Sequence, residues 1–148
     1  MNTDLLEVLR CPTCAGMYRL ESSRLFCAVC QVEVQLQNGT LLFSDVPKDI
    51  IPSEKRSRGV GVDTPWRSAN TRFLEGEAQR LSENAIVLDV GAGRGDFSGL
   101  FTDQRYLAVE IYPYPEVDIV CDLTKVNPFA PGSLDVILLM NWTYPVRG

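Results

Sequence analysis

Polar and apolar positions alternate from residue 31 to 36, where Val32, Val34 and Leu36 share one side, and this period of two predicts a half-buried strand. Asn38-Gly39 follows, a pair favoured in two-residue type I′ turns, and Leu41-Leu42-Phe43 supplies the returning strand. Upstream, residues 4–10 read as a short helix that buries Leu5, Leu6, Val8 and Leu9. Residues 17–20 and 24–26 leave room for one more small hairpin. Further along, the rhythm changes. Trp66, Ala69, Phe73, Leu74, Ala78 and Leu81 recur at helical spacing behind Thr64-Pro65, a capping residue followed by one suited to the first helical position. That pattern predicts a helix against a sheet, with Trp66 and Phe73 in the core rather than stacked on a ligand. Residues 85–90 are almost wholly apolar, as in a strand covered on both faces. Residues 106–109, 117–120 and 136–140 give three more strands, and a helix is expected to begin over 96–101 with Phe97, Leu100 and Phe101 inward.

Two C-x-x-C pairs, Cys11/Cys14 and Cys27/Cys30, flank the small hairpin with twelve residues between them. Four soft ligands presented from two tight turns match a tetrahedral metal, and the chain contains no histidine, so every ligand is a thiolate. Zinc suits such a set, and four thiolates close its coordination shell, which makes the site structural. Two disulfides or free buried thiols are the alternatives; disulfides need an oxidising compartment. Gly16 follows the first pair, where a positive φ is often needed. Cys121, the fifth cysteine, reads as a small buried apolar residue.

The strand at 85–90 runs into Gly91-Ala92-Gly93-Arg94-Gly95. A strand, a glycine-rich turn and a helix start bring backbone amides up to a ligand. Dinucleotide enzymes use similar glycines, so the loop alone does not choose the ligand. Asp89, two residues before Gly91, would repel a pyrophosphate and suit a ligand carrying an ammonium and a sulfonium. Glu110, at the tip of the second strand, stands where an acid accepts both ribose hydroxyls. Asp122, after the third strand, is positioned for an adenine amino group. The bland alternative is a glycine turn between strand and helix, with Glu110 and Asp122 as solvated strand ends.

Composition narrows these choices. The chain has 148 residues, 45% hydrophobic and 22% charged, as expected of a globular protein. Without histidine it cannot form a Ser-His-Asp or Cys-His catalytic group. Residues 1–60 hold seven basic and seven acidic side chains, so the net charge of -5 resides entirely in residues 61–148. An acidic second half is a poor footprint for nucleic acid. Lys55-Arg56-Ser57-Arg58 is the only dense basic run; it reads as a solvated segment, with RNA contact the weaker reading. The longest aliphatic run, 136–140, is far too short to cross a bilayer. Asp4 and Glu7 among the first leucines do not read as a signal peptide, and a cytoplasmic protein is expected.

Residues 3–43, through Leu5-Leu6-Glu7-Val8-Leu9-Arg10-Cys11-Pro12-Thr13-Cys14, Cys27-x-x-Cys30 and Asn38-Gly39, resemble the small zinc-ribbon family of tRNA-methyltransferase activators. The second part, through Asp89-x-Gly-x-Gly-x-Gly, Glu110, Asp122 and Gly132-Ser133-Leu134-Asp135-Val136-Ile137-Leu138-Leu139-Met140-Asn141, resembles class I S-adenosylmethionine-dependent methyltransferases of the type 11 group. The resemblances imply an α/β fold: a zinc ribbon over 1–43, a linker over 44–62, and over 63–148 the first four strands of a Rossmann-like methyltransferase sheet. By the same resemblance, Asp89, Gly91, Ala92, Gly93 and Gly95 line the methionine and ribose side of S-adenosylmethionine, Glu110 holds the ribose, Asp122 the adenine, and Asn141 the methionine end. In place of the family's acid-His pair after the fourth strand stands Trp142-Thr143-Tyr144-Pro145-Val146. The expectation is therefore the N-terminal, cofactor-binding half of a methyltransferase with an unassigned acceptor and no assignable catalytic base. Its ribbon would contact a substrate or partner protein. A ribosomal RNA base methyltransferase and a non-catalytic adapter that binds a partner methyltransferase are the competing readings.

Overall fold

The computed structural model describes residues 5–46 and 64–140. A single turn of helix, α1 (Leu5–Val8), leads into two antiparallel hairpins, β1 (Tyr18–Glu21) with β2 (Arg24–Cys27) and β3 (Glu33–Gln37) with β4 (Thr40–Leu42). Helix α2 (Pro65–Ala78) then precedes four parallel strands, β5 (Ile86–Val90), β6 (Arg105–Glu110), β7 (Ile119–Val120) and β8 (Val136–Leu138). All eight strands belong to one mixed sheet in the order β1-β2-β3-β4-β7-β6-β5-β8. Among the parallel strands the chain visits the third, second, first and fourth positions in that spatial sequence. Among the described residues no helix is long and apolar enough to cross a membrane.

Local chemistry accounts for most of these elements. Asn38 and Gly39 have φ of 52° and 90°, the paired left-handed values of the turn expected between β3 and β4. The Thr64 hydroxyl accepts from the Arg67 amide and caps α2, and Pro65 occupies the first turn.

The join between β4 and β7 was not foreseen from the sequence. Leu41 lies beside Ile119 and Leu42 beside Val120 in a parallel register. Main-chain bonds from Leu41 to Asp118 and from Phe43 to Val120 are each 2.9 Å. The buried Thr40 hydroxyl donates to the Val117 carbonyl at 2.8 Å, so its one polar group is satisfied where water is excluded. The last hairpin strand thus covers what would otherwise be an open edge of the parallel sheet.

Strand parity divides the core. Leu88 and Val90 of β5 face the same side as Leu107 and Val109 of β6, and Leu5, Val8, Leu9, Leu25 and Leu41 pack there. Val87 faces the other side, where Leu74 and Ala78 of α2 meet Phe97, Phe101 and Leu138.

Two expectations require correction. Trp66 and Phe73 are 52% and 59% exposed, not core residues. The inward stripe of α2 runs through Arg67, Thr71, Leu74 and Ala78: Leu74 and Ala78 pack with Phe97, Phe101 and Leu138, and Arg67 pairs with Asp96 of the glycine turn. Trp66 and Phe73 each precede a member of that stripe and so sit about 100° around the helix. The helix expected over 96–101 is only a 3₁₀ turn, Ser98–Leu100. Fourteen residues separate β5 from β6 and must return along a strand of roughly 17 Å. With the glycine turn at one end and Gly99 in the middle, no α-helix propagates.

Candidate functional site

The first candidate is a metal centre. The four sulfur atoms of Cys11, Cys14, Cys27 and Cys30 lie within 4.8 Å of one another. The Cys11–Cys30 and Cys14–Cys27 separations are 3.4 and 3.5 Å, well beyond an S–S bond of about 2.0 Å and close to the ~3.8 Å edge of a tetrahedron with 2.3 Å metal–sulfur bonds. All four cysteines are free.

The two knuckles repeat one backbone design. The Ala15 and Gln31 amides bond back to the Cys11 and Cys27 carbonyls at 2.8 Å, and Ala15 and Gln31 take positive φ of 57° and 62°. The left-handed residue of the first knuckle is therefore Ala15, not Gly16. Gly16 serves another purpose, since a Cβ there would stand 3.0 Å from the Cys27 sulfur and 3.2 Å from the Cys14 sulfur. Backbone amides are directed at the sulfurs: Thr13 and Cys14 at Cys11, Gly16 at Cys14, Val29 and Cys30 at Cys27, and Val32 at Cys30.

Burial would raise the Cys11 thiol, but the Thr13 and Cys14 amides and the Cys30 thiol bring it down to about 6. Despite the Val32 amide, the Cys11 thiolate and burial push Cys30 up to about 12. Four thiolates at this spacing repel one another, so full ionisation at neutral pH needs a cation among them. The Tyr18 hydroxyl is buried without a hydrogen-bond partner and lies close enough to Cys11 to help lower its thiol. The donor set fits a resident metal ion.

The second candidate lies at the ends of β5 and β6. Gly91, Gly93 and Gly95 have φ of 72°, 58° and 68°, so each depends on the freedom of glycine. The Gly91 and Ala92 amides both donate to the Val109 carbonyl, at 2.9 and 3.1 Å, and the Gly95 amide to the Ala92 carbonyl at 2.9 Å. Glu110 reaches back over the loop, its Oε2 accepting from the Gly93 amide at 3.1 Å and its Oε1 from the Ile111 amide at 2.7 Å. The structure thus brings Glu110 and the glycine loop together.

Asp89 lies beneath the loop, only 3% exposed. Burial pushes its carboxyl up to about 6; the Tyr106 hydroxyl, which donates to Oδ2, opposes that rise, and Asp96 and Glu110 add to it. Tyr106 itself is raised by burial and by the Asp89 charge, so it remains a protonated donor. Asp96 is held by Arg67 of α2, and Arg94 lies 3.6 Å from Glu116.

Asp122 begins the segment after β7. Its carboxylate accepts from the Thr124 amide and hydroxyl and pairs with Lys125 at 2.8 Å. Asn141 and the basic run at 55–58 lie outside the described residues. Cys121 is buried, as expected, and burial raises its thiol to about 11.

Tyr106 and Arg67 escaped the sequence reading. Parity alone would put Asp89 and Tyr106 on facing sides only once the β5–β6 register, Val87 beside Tyr106, is fixed. Arg67 carried no signal beyond its place on an amphipathic helix. No protein-family model matches the chain, and no curated protein shows detectable similarity to it.

Proposed function

We propose that the protein is an S-adenosylmethionine-dependent methyltransferase whose parallel strands form the first part of a Rossmann-like sheet, with Zn²⁺ held by Cys11, Cys14, Cys27 and Cys30. The observation that carries this reading is the pairing of Glu110 with the Gly93 amide above the buried Asp89. In a pyrophosphate site the loop amides point at the ligand. Here the Gly91, Ala92 and Gly95 amides are taken by main-chain carbonyls and the Gly93 amide by a carboxylate. Such a crevice repels phosphate and suits a nucleoside with ribose hydroxyls and a cationic tail.

Bound S-adenosylmethionine supplies an electrophilic methyl group and a good leaving group. The chain's own residues bind and orient it. Glu110 accepts the ribose hydroxyls by exchanging them for the Gly93 amide, Asp89 faces the ammonium, and Asp122 reaches the adenine amino group after exchanging its Lys125 contact. The ligand lies along Gly91, Ala92, Gly93 and Gly95, with Asn141 assigned to its methionine end. The acceptor, a small molecule or a macromolecule, is not assigned. The zinc ribbon holds the sheet edge at β7 and offers a surface to a substrate or partner.

Calorimetry on metal-replete protein tests the reading. Heat with S-adenosylmethionine and its demethylated product, abolished by Gly93→Arg, is expected. Heat with nicotinamide dinucleotides alone would overturn it. A second reading, a non-catalytic adapter, draws on β8, which among the described residues is the last strand of the sheet and leaves Ile137 and Leu139 each 55% exposed. Folded, metal-loaded protein that takes up neither nucleoside would favour it.

A further inference from the structure

We propose that Tyr106 is a positioning residue, holding the Asp89 carboxylate in the form and orientation that accept the ammonium of an amino-acid-bearing nucleoside. The proposal rests on the methyltransferase reading above. In the β5–β6 register Val87 lies beside Tyr106 and Asp89 beside Ala108, so Tyr106 and Asp89 are diagonal neighbours on one face. Ala108, small and buried, leaves the phenol room to cross to the carboxylate. The ring is itself fixed, stacked at 5.9 Å and 23° on the buried Phe101.

The Tyr106 hydroxyl donates to Oδ2, and among the described residues Asp89 has no second hydrogen-bond donor, which leaves Oδ1 for a ligand. The other groups that act on Asp89 are unfavourable to its charge. Asp96, on the glycine turn, is negative although Arg67 of α2 pairs with it, and Glu110 is negative at the tip of β6. A desolvated carboxylate among acids retains its proton unless a donor supports the anion. Tyr106 is that donor, and a protonated Asp89 cannot hold a cation.

The test is calorimetric titration of the full, metal-replete chain with S-adenosylhomocysteine, which keeps the ammonium, from about pH 5 to about pH 8. Wild-type affinity is expected to fall on the acid side as Asp89 takes up a proton. In Tyr106→Phe that acid limb should move upward by about one pH unit, so that binding is about tenfold weaker below the limb and unchanged at the alkaline end. Methylthioadenosine, which lacks the ammonium, should bind without an acid limb in either protein. Uniform weakening at every pH would mark Tyr106 as mere packing and overturn the proposal.

Should Tyr106→Phe fail to fold, 3-fluorotyrosine at position 106, a stronger donor of nearly the same shape, should shift the limb downward; an unmoved limb overturns the proposal. The carboxyl carbon of Asp89, followed by NMR in the ligand-free protein, must show the same shifts. Wild-type protein that takes up no S-adenosylhomocysteine at any pH defeats the functional reading. Uptake with an unmoved limb defeats only the role given to Tyr106.

Discussion

The cysteine knuckles and the glycine loop are both tight turns built on left-handed residues, yet they reach that geometry in opposite ways. In the knuckles the positive φ falls on Ala15 and Gln31, side chains that pay a steric penalty to be there. In the loop it falls on Gly91, Gly93 and Gly95, where no penalty arises. The amides differ as well. Those of Thr13, Cys14, Val29 and Cys30 converge on sulfur, whereas those of Gly91, Ala92 and Gly95 close on main-chain carbonyls. A turn that organises anions around a cation tolerates strain, because the metal–ligand bonds are strong. The glycine loop relies instead on glycine and internal hydrogen bonds.

If the metal carries the knuckles, its removal has the largest effect. Binding of a structural zinc contributes on the order of 10 kcal/mol. Leu5, Val8, Leu9, Leu25 and Leu41 share a core with Leu88, Val90, Leu107 and Val109, so the loss should spread across the β4–β7 join. A strong chelator, or Cys27→Ser, is expected to accelerate hydrogen exchange of β6 and β7 amides together with those of β1 to β4. Protection of β5 to β8 that survives chelation would show that the two regions fold independently.

Next in size is the join itself. Leu41 is completely buried at the contact with Ile119. Leu41→Ala should lower stability by about 3 kcal/mol in urea titrations of the metal-loaded protein. Under chelation the same substitution should cost far less, because the strand it weakens has already lost its support. Equal losses in both states would mean that β4 stays paired without metal.

That join marks where sequence reasoning stopped. Alternation at Val32, Val34 and Leu36 and the Asn38-Gly39 pair were enough to place the hairpin, since these signals are local. The spacing of the four cysteines was enough to bring them together, because each pair needs only one turn. Nothing local says that Thr40–Leu42 runs parallel to Ile119–Val120, a contact between residues nearly eighty positions apart. For the same reason the helical pattern of α2 gave its extent but not its rotation. Leu74 and Ala78 pack on Phe97, Phe101 and Leu138 and Arg67 meets Asp96, which leaves Trp66 and Phe73 outward; two overlapping apolar stripes on one helix do not say which is buried. The place of Glu110 at the tip of β6 was legible in the sequence, whereas the contact of Tyr106 with Asp89 needed the register.

Asp89 sharpens the comparison from the side of the loop. Its carboxyl is raised from an ordinary value of 3.8 to about 6, so the folded state binds the proton more tightly than the unfolded chain does. Stability is therefore lost as pH rises through this window and regained as it falls back toward 4. Asp89→Asn should stabilise the metal-loaded protein by about 2 kcal/mol at pH 7, with the advantage shrinking as pH drops toward 5. Nucleoside binding should weaken in the same variant. A site shaped for a ligand would thus be less stable than its inert isostere, the reverse of the knuckles, where Cys27→Ser is expected to lose both metal affinity and stability. An Asp89→Asn protein less stable than wild type at neutral pH would place Asp89 among the structural residues instead.

The smallest effect separates the two uses of glycine. A Cβ on Gly93 meets nothing within 4 Å, so Gly93→Ala meets only the backbone penalty of φ 58°, about 1 kcal/mol. Its melting temperature should fall by a few degrees while bound metal, read from the thiolate absorption of a Co²⁺-substituted sample, is unchanged. Gly16→Ala meets the opposite condition, because the new methyl lies 3.0 Å from the Cys27 sulfur and from Val29, with no left-handed φ involved. Its effect should appear in the Co²⁺ spectrum and in metal affinity before it appears elsewhere. Were Gly16→Ala silent in that spectrum, or Gly93→Ala to alter it, the division between a turn held by metal and a turn held by glycine would fail.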